Sequence, residues 1–165
     1  MKKFIILLSI LLTSVLYAQN MEMTDSSGTT YKVYAQDNQF EIEGMEGKVV
    51  FLEFFGLQCP ACTQLMPSLI NLQEKYPNKL QVMAIEVQNN DIEPINAYKK
   101  KHGINYRTFS NYDVGLVVRY IANNSDWAGA IPFLAAIDTK GKVQILKIGV
   151  IPEETLEGYI KKYAK

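Results

Sequence analysis

The run at 48–55, Lys-Val-Val-Phe-Leu-Glu-Phe-Phe, restricts the fold more than any other stretch of the chain. It is dense in β-branched and aromatic residues, which suit a pleated backbone. It is apolar at odd and even positions alike, so both faces must be covered, as in a central strand of a layered sheet. Gly56 ends it. A helix is predicted to open at the cysteines, because Leu65, Leu69, Leu72 and Tyr76 fall on one stripe at helical spacing. Pro67 lies inside this helix and predicts a kink, since proline removes a ladder donor and crowds the preceding turn. Pro77-Asn78 closes it, and the apolar run at 80–87 is the next strand. Strand, helix, strand in that order is a βαβ unit, whose two strands run parallel with a right-handed crossover.

The other elements follow by the same rules. Residues 19–28 are polar and small and read as a loose lead-in. Short strands are expected at 30–35 and 40–43 around an Asp37-Asn38 turn. A second helix is expected at 92–102, ended by Gly103, then a short strand at 106–109 and a third helix at 113–121. Strands at 133–137 and 143–150 flank Asp138-Thr139-Lys140-Gly141, a hairpin signal with Gly at the left-handed position. Pro152 is expected to open a final helix running to residue 163. Trp127 reads as local packing and His102 as a helix-end or surface residue.

The first residues have the layout of a secretory signal segment. Met1-Lys2-Lys3 is a positive start, residues 4–17 carry no charge, and Ala18 suits a cleavage site. The uncharged run has 14 residues, short of the roughly 20 that span a bilayer. The expected organisation is therefore a signal peptide at 1–18 and a single domain at 19–165 with its core at about 40–163. A retained membrane anchor is the alternative. The location implied is the periplasm, with a mature protein that does not span the membrane.

Charge narrows the partners. The chain has 17 Lys and Arg against 17 Asp and Glu, and loss of Lys2 and Lys3 leaves 15 against 17, a net charge of −2. No basic excess is available to neutralise phosphates, so no nucleic-acid partner is expected. The triplet Lys99-Lys100-Lys101 falls in a helix tail, where cations are favoured.

The two cysteines are spaced Cys59-Pro60-Ala61-Cys62. An exported chain meets oxidising conditions, so a disulfide is possible. A purely structural bridge fits poorly, because closing so short a loop removes little entropy from the unfolded chain. A redox centre fits better. Cys59 would sit at a helix N-terminus, where free amides and the helix dipole favour an anion and so lower its pKa. That makes Cys59 the attacking thiolate, and Cys62, a turn further in, the resolving thiol.

Four features stand at fixed offsets: Cys-x-x-Cys between a buried strand and a helix, Pro67 five residues after Cys62, Glu53 six residues before Cys59, and Ile131-Pro132 ahead of a late strand. With them the chain resembles the thioredoxin superfamily, and within it the periplasmic TlpA/ResA group, which includes the thioredoxin-like proteins of cytochrome c maturation. Residues 40–48, with Gly47-Lys48, look like that group's N-terminal extension, and 133–143 looks like its closing hairpin. Cys59-Pro60-Ala61-Cys62 is similar to the Cys-Pro-x-Cys of cytochrome c maturation proteins. Two positions depart from the pattern. Gln58 stands where the family usually has Trp, and Leu65 where some members carry a functional acid.

The resemblance implies an α/β thioredoxin-like fold, a central mixed sheet flanked by helices with a short N-terminal β extension. It implies a thiol–disulfide oxidoreductase with a redox-active disulfide between Cys59 and Cys62 and no cofactor or metal. Glu53 would be a buried acid that moves a proton during resolution, its pKa raised by burial; a carboxylate at a strand edge with its head in water is the other possibility. Pro132 would form a cis peptide facing the dithiol, and Ile131, Pro132, Pro60 and Ala61 would contact substrate. The partners implied are thiols and disulfides of exported proteins and a membrane electron donor of the thiol–disulfide interchange type. A disulfide-forming oxidase or isomerase, and a copper carrier using the two thiols, remain open. The 44 residues between Val87 and Pro132 are short for the large helical insertion of the dedicated oxidases.

Overall fold

The structure is a computed structural model that describes residues 19–164. The expected signal segment at 1–18 lies outside the described residues. Among the described residues no helix is long and apolar enough to cross a membrane.

In chain order the elements are β1 (Gln19–Thr24), β2 (Thr30–Gln36), β3 (Gln39–Ile42), β4 (Val49–Phe55), α1 (Pro60–Lys75), β5 (Leu80–Glu86), α2 (Ile92–His102), β6 (Arg107–Ser110), α3 (Asn111–Asn123), β7 (Phe133–Ile137), β8 (Val143–Ile148) and α4 (Glu153–Tyr163). The main sheet has the order β6-β5-β4-β7-β8. β4 and β5 pair in parallel, as do β5 and β6, while β7 is antiparallel to both β4 and β8. β4 is central and buried at every position, as its two-sided apolar run requires. With its flanking helices this is the thioredoxin-like α/β fold with a mixed central sheet.

The two faces of β4 serve different cores. Val50, Leu52 and Phe54 face a cluster shared with α3 and the N-terminal strands. Val49, Phe51 and Phe55 face a cluster built with α1 and α4, which also holds Cys59 and Cys62. In α1, Leu65, Leu69 and Leu72 are fully buried; burial of each contributes roughly 1.5–3 kcal/mol.

One expectation from sequence is corrected. Residues 19–28 are not a loose lead-in, because their first part is β1, paired antiparallel with β2 from Gln19↔Ala35 to Thr24↔Thr30. Met21 and Met23 of this strand point inward and are buried, while Asn20 and Glu22 between them face water. Pro67 lies inside α1, which is one continuous helix from Pro60 to Lys75. Thr63, whose carbonyl loses its i+4 donor, and Pro67 are both exposed, so that carbonyl is on the watered side. A break in helical geometry falls at Val114 of α3 (φ −132°, ψ 18°).

The three-stranded sheet β1-β2-β3 is tied to the main body at both ends. At one end Phe40 N donates to Gly141 O at 2.6 Å and Val143 N to Asn38 O at 2.8 Å. Gly141 has φ +77°, and a Cβ there would meet Glu41 Cγ at 2.5 Å, so the hairpin turn can press against β3 only with glycine. At the other end Ser26 N donates to Thr108 O of β6 at 2.8 Å. Beside it the buried Asp25 accepts from Ser27 Oγ at 2.5 Å, Tyr31 Oη at 3.1 Å and Arg107 Nη1 at 3.0 Å. The Arg107 guanidinium also lies over the Tyr31 ring, 4.9 Å from its centre.

Candidate active site

The chain leaves β4 at Phe55, passes Gly56, and reaches Cys59, the N-cap of α1, in extended geometry (φ −121°, ψ 100°). Proline at the first helical position, Pro60, costs nothing, because its missing N–H would have no partner there. Cys59 Sγ accepts from Cys62 N at 3.1 Å, which places a donor on the sulfur that carries charge when the pair is reduced. Cys59 and Cys62 are joined by a disulfide, with Cα atoms 5.2 Å apart. Cys59 is 7% exposed and Cys62 only 1%, so an incoming sulfur reaches Cys59 first.

Glu53 is not at a strand edge with its head in water. It lies mid-strand in β4, 2% exposed, paired on one side with Ala84 and on the other with Leu134. Strand alternation puts it on the same face as Val49, Phe51 and Phe55, the face that packs against α1 and both cysteines. Its carboxyl makes no hydrogen bond to the described residues, and burial pushes its pKa up to about 8. Tyr106, buried on that face, is held well above the usual phenol range, first by burial and then by the neighbouring Glu53 charge. The site therefore holds one carboxyl that changes charge near neutrality, in an apolar layer shared with the dithiol.

The Ile131–Pro132 peptide is cis. Pro132 is buried, and Ile131 packs against the cluster containing Cys59 and Cys62. The loop is pinned from both sides. Gly149 N donates to Pro132 O at 2.8 Å, and Trp127 Nε1 donates to Ala130 O at 2.7 Å. Trp127 packs edge-on against Phe54, with ring centres 4.7 Å apart, which is the packing role read from sequence. Pro60 is exposed and Ala61 half-buried. The structure thus gathers Cys59, Ala61, Cys62 and Ile131 around one apolar layer, with Pro60 exposed beside them. Leu65, fully buried among these residues, is a core position with no room for a solvated acid.

The structure also contains polar groups at this end of the sheet that sequence reasoning did not single out. Glu86, the last residue of β5, is fully buried. It accepts from Gln88 N at 3.0 Å, Asn90 N at 2.9 Å and Asn90 Nδ2 at 3.0 Å. Gln88 Oε1 in turn accepts from Gln58 N at 3.0 Å. The signal that points to them is positional: Gln88-Asn89-Asn90-Asp91 follows the C-terminal end of a parallel strand, the edge at which α/β sheets build their sites.

Comparison with known proteins agrees with this geometry. The model of the AhpC/TSA family matches residues 18–145. The thiol-disulfide oxidoreductase ResA of Bacillus thuringiensis (strain Al Hakam) is 30% identical over 146 residues, covering 88% of this chain and 75% of that protein. Among solved structures, a thiol:disulfide interchange protein of the thioredoxin family from Chlorobium tepidum superposes with a TM-score of 0.69 at 18% identity, covering 90% of this chain and 95% of that one. StoA from Bacillus subtilis superposes with a TM-score of 0.64 at 16% identity, covering 87% and 98%.

Proposed function

The chain belongs to the AhpC/TSA family and is a thiol–disulfide oxidoreductase of the ResA type, and from that premise we propose that it works outside the cytoplasm as a reductant of disulfides in exported proteins, apocytochromes c among them. The observation that carries the chemistry is the Cys59–Cys62 pair at the start of α1, backed by a buried carboxyl on the same face.

In the reduced protein the Cys59 thiolate attacks one sulfur of a substrate disulfide. A bond forms between Cys59 Sγ and that sulfur, and the other substrate sulfur leaves as a thiolate. Cys62 then loses its proton to the ionised form of Glu53, the minority form at neutral pH, in the apolar layer. A base titrating near 8 is matched to this work at neutral pH. The Cys62 thiolate attacks Cys59 Sγ, closes the disulfide, and releases the second substrate thiolate. Two electrons pass from the dithiol to the substrate. Ile131, Pro132, Pro60 and Ala61 form the surface that the substrate strand meets. The oxidised form is returned to the dithiol by a membrane electron donor of the thiol–disulfide interchange type. The uncharged leader at 4–17 supports export to the periplasm.

Direction is the part most open to test, because about 30 mV in a two-electron couple is already worth about 1.4 kcal/mol. The redox state of Cys59 and Cys62, trapped by acid quench in living cells and read by alkylation shift, decides it. Mostly reduced thiols are expected. A mostly oxidised pool, with a potential close to that of strong oxidants, would reassign the protein as a disulfide-forming oxidase.

A further inference from the structure

We propose that Gln88 is a positioning residue for the dithiol, a strap that holds the chain entering Cys59. The inference rests on the dithiol chemistry above but not on its direction. Gln88 is 30 residues from Gln58 in sequence, yet its Oε1 accepts the Gln58 backbone N–H at 3.0 Å. To get there its side chain crosses Gly56 so closely that a Cβ on Gly56 would lie 2.3 Å from Gln88 Cδ and 2.4 Å from Oε1. Glycine at 56 is therefore what lets the amide reach the N–H of Gln58, the residue directly before Cys59.

The strap is anchored. Val87 N donates to Phe55 O at 2.9 Å, which continues the β4–β5 ladder to the base of the strap. The buried Glu86 carboxyl holds the Gln88 N–H from below and both nitrogens of Asn90. Ser110 Oγ donates to Asn90 O at 2.9 Å, and Asn111 Nδ2 to Asn89 Oδ1 at 2.8 Å. A loop fixed at this many points presents the Gln88 amide from a rigid base. Among the described residues the strap makes its hydrogen bond to the Gln58 N–H and none to either sulfur, so it acts through geometry. It fixes the Leu57–Gln58 peptide, one step ahead of the extended N-cap Cys59, and through it the line along which Cys62 Sγ approaches Cys59 Sγ. The step that feels this most is intramolecular resolution, whose rate depends on near-attack alignment.

The test follows the reduced full-length protein reacting with Ellman's reagent, which reports two successive thiolate releases. The first is attack by Cys59, forming its bond to the reagent sulfur. The second is attack by the Cys62 thiolate on Cys59 Sγ, with the reagent thiolate leaving. Gln88→Ala should slow the second release roughly three- to tenfold, with the first changed less than twofold. Gln88→Glu keeps the acceptor for Gln58 N–H and should restore the second release to within about twofold. Gly56→Ala should reproduce the Gln88→Ala effect, because the added methyl meets the movable end of the Gln88 side chain and displaces it. The double variant should be no slower than either single one, since both remove the same contact. Resolution at the unaltered rate in Gln88→Ala, or fully additive effects in the double variant, would overturn the proposal. A single release from the unmodified protein would instead remove the dithiol mechanism, and this inference with it.

Discussion

Asp25 and Glu53 are both buried carboxyls, 5% and 2% exposed, and the protein treats them in opposite ways. Around Asp25 burial alone would raise the pKa, but it is outweighed by hydrogen bonds from Ser27, the backbone at Thr29 and Ser27, and Arg107, which bring it to about 2. Around Glu53 nothing answers burial, and the pKa goes up to about 8. The first group is permanently charged at neutral pH and holds the β1–β2 loop to Arg107 of β6. The second is available to change charge there. Burial by itself therefore does not mark a functional carboxyl. What separates them is whether the charged form is solvated by the protein. A satisfied carboxylate stabilises the fold, whereas an unanswered one costs stability and can move a proton.

The largest expected consequence is in how stability depends on pH. Glu53 is protonated in the native state up to about pH 8 but ionises near 4.5 once unfolded. The native state binds the extra proton between those values, so stability falls as pH rises from about 4.5 to about 8 and is level beyond. Glu53→Gln removes this dependence. The stability gain of the variant, measured by denaturant unfolding of the oxidised protein, should grow from near zero at pH 4.5 to as much as roughly 5 kcal/mol above pH 8. A gain that does not change with pH would show that Glu53 finds a partner for its charge.

The same substitution should slow chemistry by somewhat less in energy. Glu53→Gln removes the proton acceptor for Cys62, and resolution of a mixed disulfide at pH 7 should fall on the order of a hundredfold, about 3 kcal/mol of barrier. The gap should hold up to about pH 8, where Glu53 ionises, and narrow above it as hydroxide takes over the proton. An unchanged pH–rate profile in the variant would remove Glu53 from the mechanism.

Asp25 should behave in reverse. Asp25→Asn keeps one acceptor but turns an amide N–H towards the Arg107 and Tyr31 donors, which lie 3.0 and 3.1 Å from Oδ2. Because the native pKa is depressed, its contribution is present above about pH 3.8 and lost as pH falls through about 2. The variant should lose on the order of 2 kcal/mol at pH 7 and little at pH 2, with the rate of disulfide exchange per folded molecule unaltered. A fall in that rate would tie the clasp to the active site.

These two carboxyls also show what is readable from sequence alone. Glu53 is visible because it breaks an otherwise apolar run, and the strand–cysteine–helix order places it. The β4–α1–β5 unit and the Asp138–Gly141 turn are legible for the same reason, since each is a local pattern with a local cause, whereas Ile131-Pro132 is read only through the family resemblance. Asp25 is not legible. It lies in a polar stretch, and its partner Arg107 is 82 residues away, so nothing nearby marks it. β1 is hidden likewise: two methionines, Met21 and Met23, are its whole apolar signal, and its strand geometry comes from pairing with β2. Gln88 looks like an ordinary loop residue until the fold lays it across Gly56.

The smallest effect sharpens the comparison most, because it asks what keeps Asp25 from becoming a second Glu53. Ser27 supplies two of the donors to Asp25 Oδ1, its hydroxyl at 2.5 Å and its backbone N–H at 2.9 Å. Ser27→Ala removes only the hydroxyl and leaves the backbone donors, Tyr31 and Arg107 in place. A hydrogen bond to a charged acceptor is worth about 1.5–3 kcal/mol when buried. Ser27 itself is exposed, so water can take over part of the lost contact, and about 1 kcal/mol is expected at pH 7. Because the lost donor favoured the charged form, the Asp25 pKa should rise from about 2 towards its ordinary value while staying below it. Carboxyl titration followed by NMR in the variant reads this directly. A pKa that climbs above the ordinary aspartate value would mean that the hydroxyl alone keeps burial from winning. A pKa that does not move would place the balance on Arg107 and the backbone, and would make the clasp an ion pair with a serine beside it.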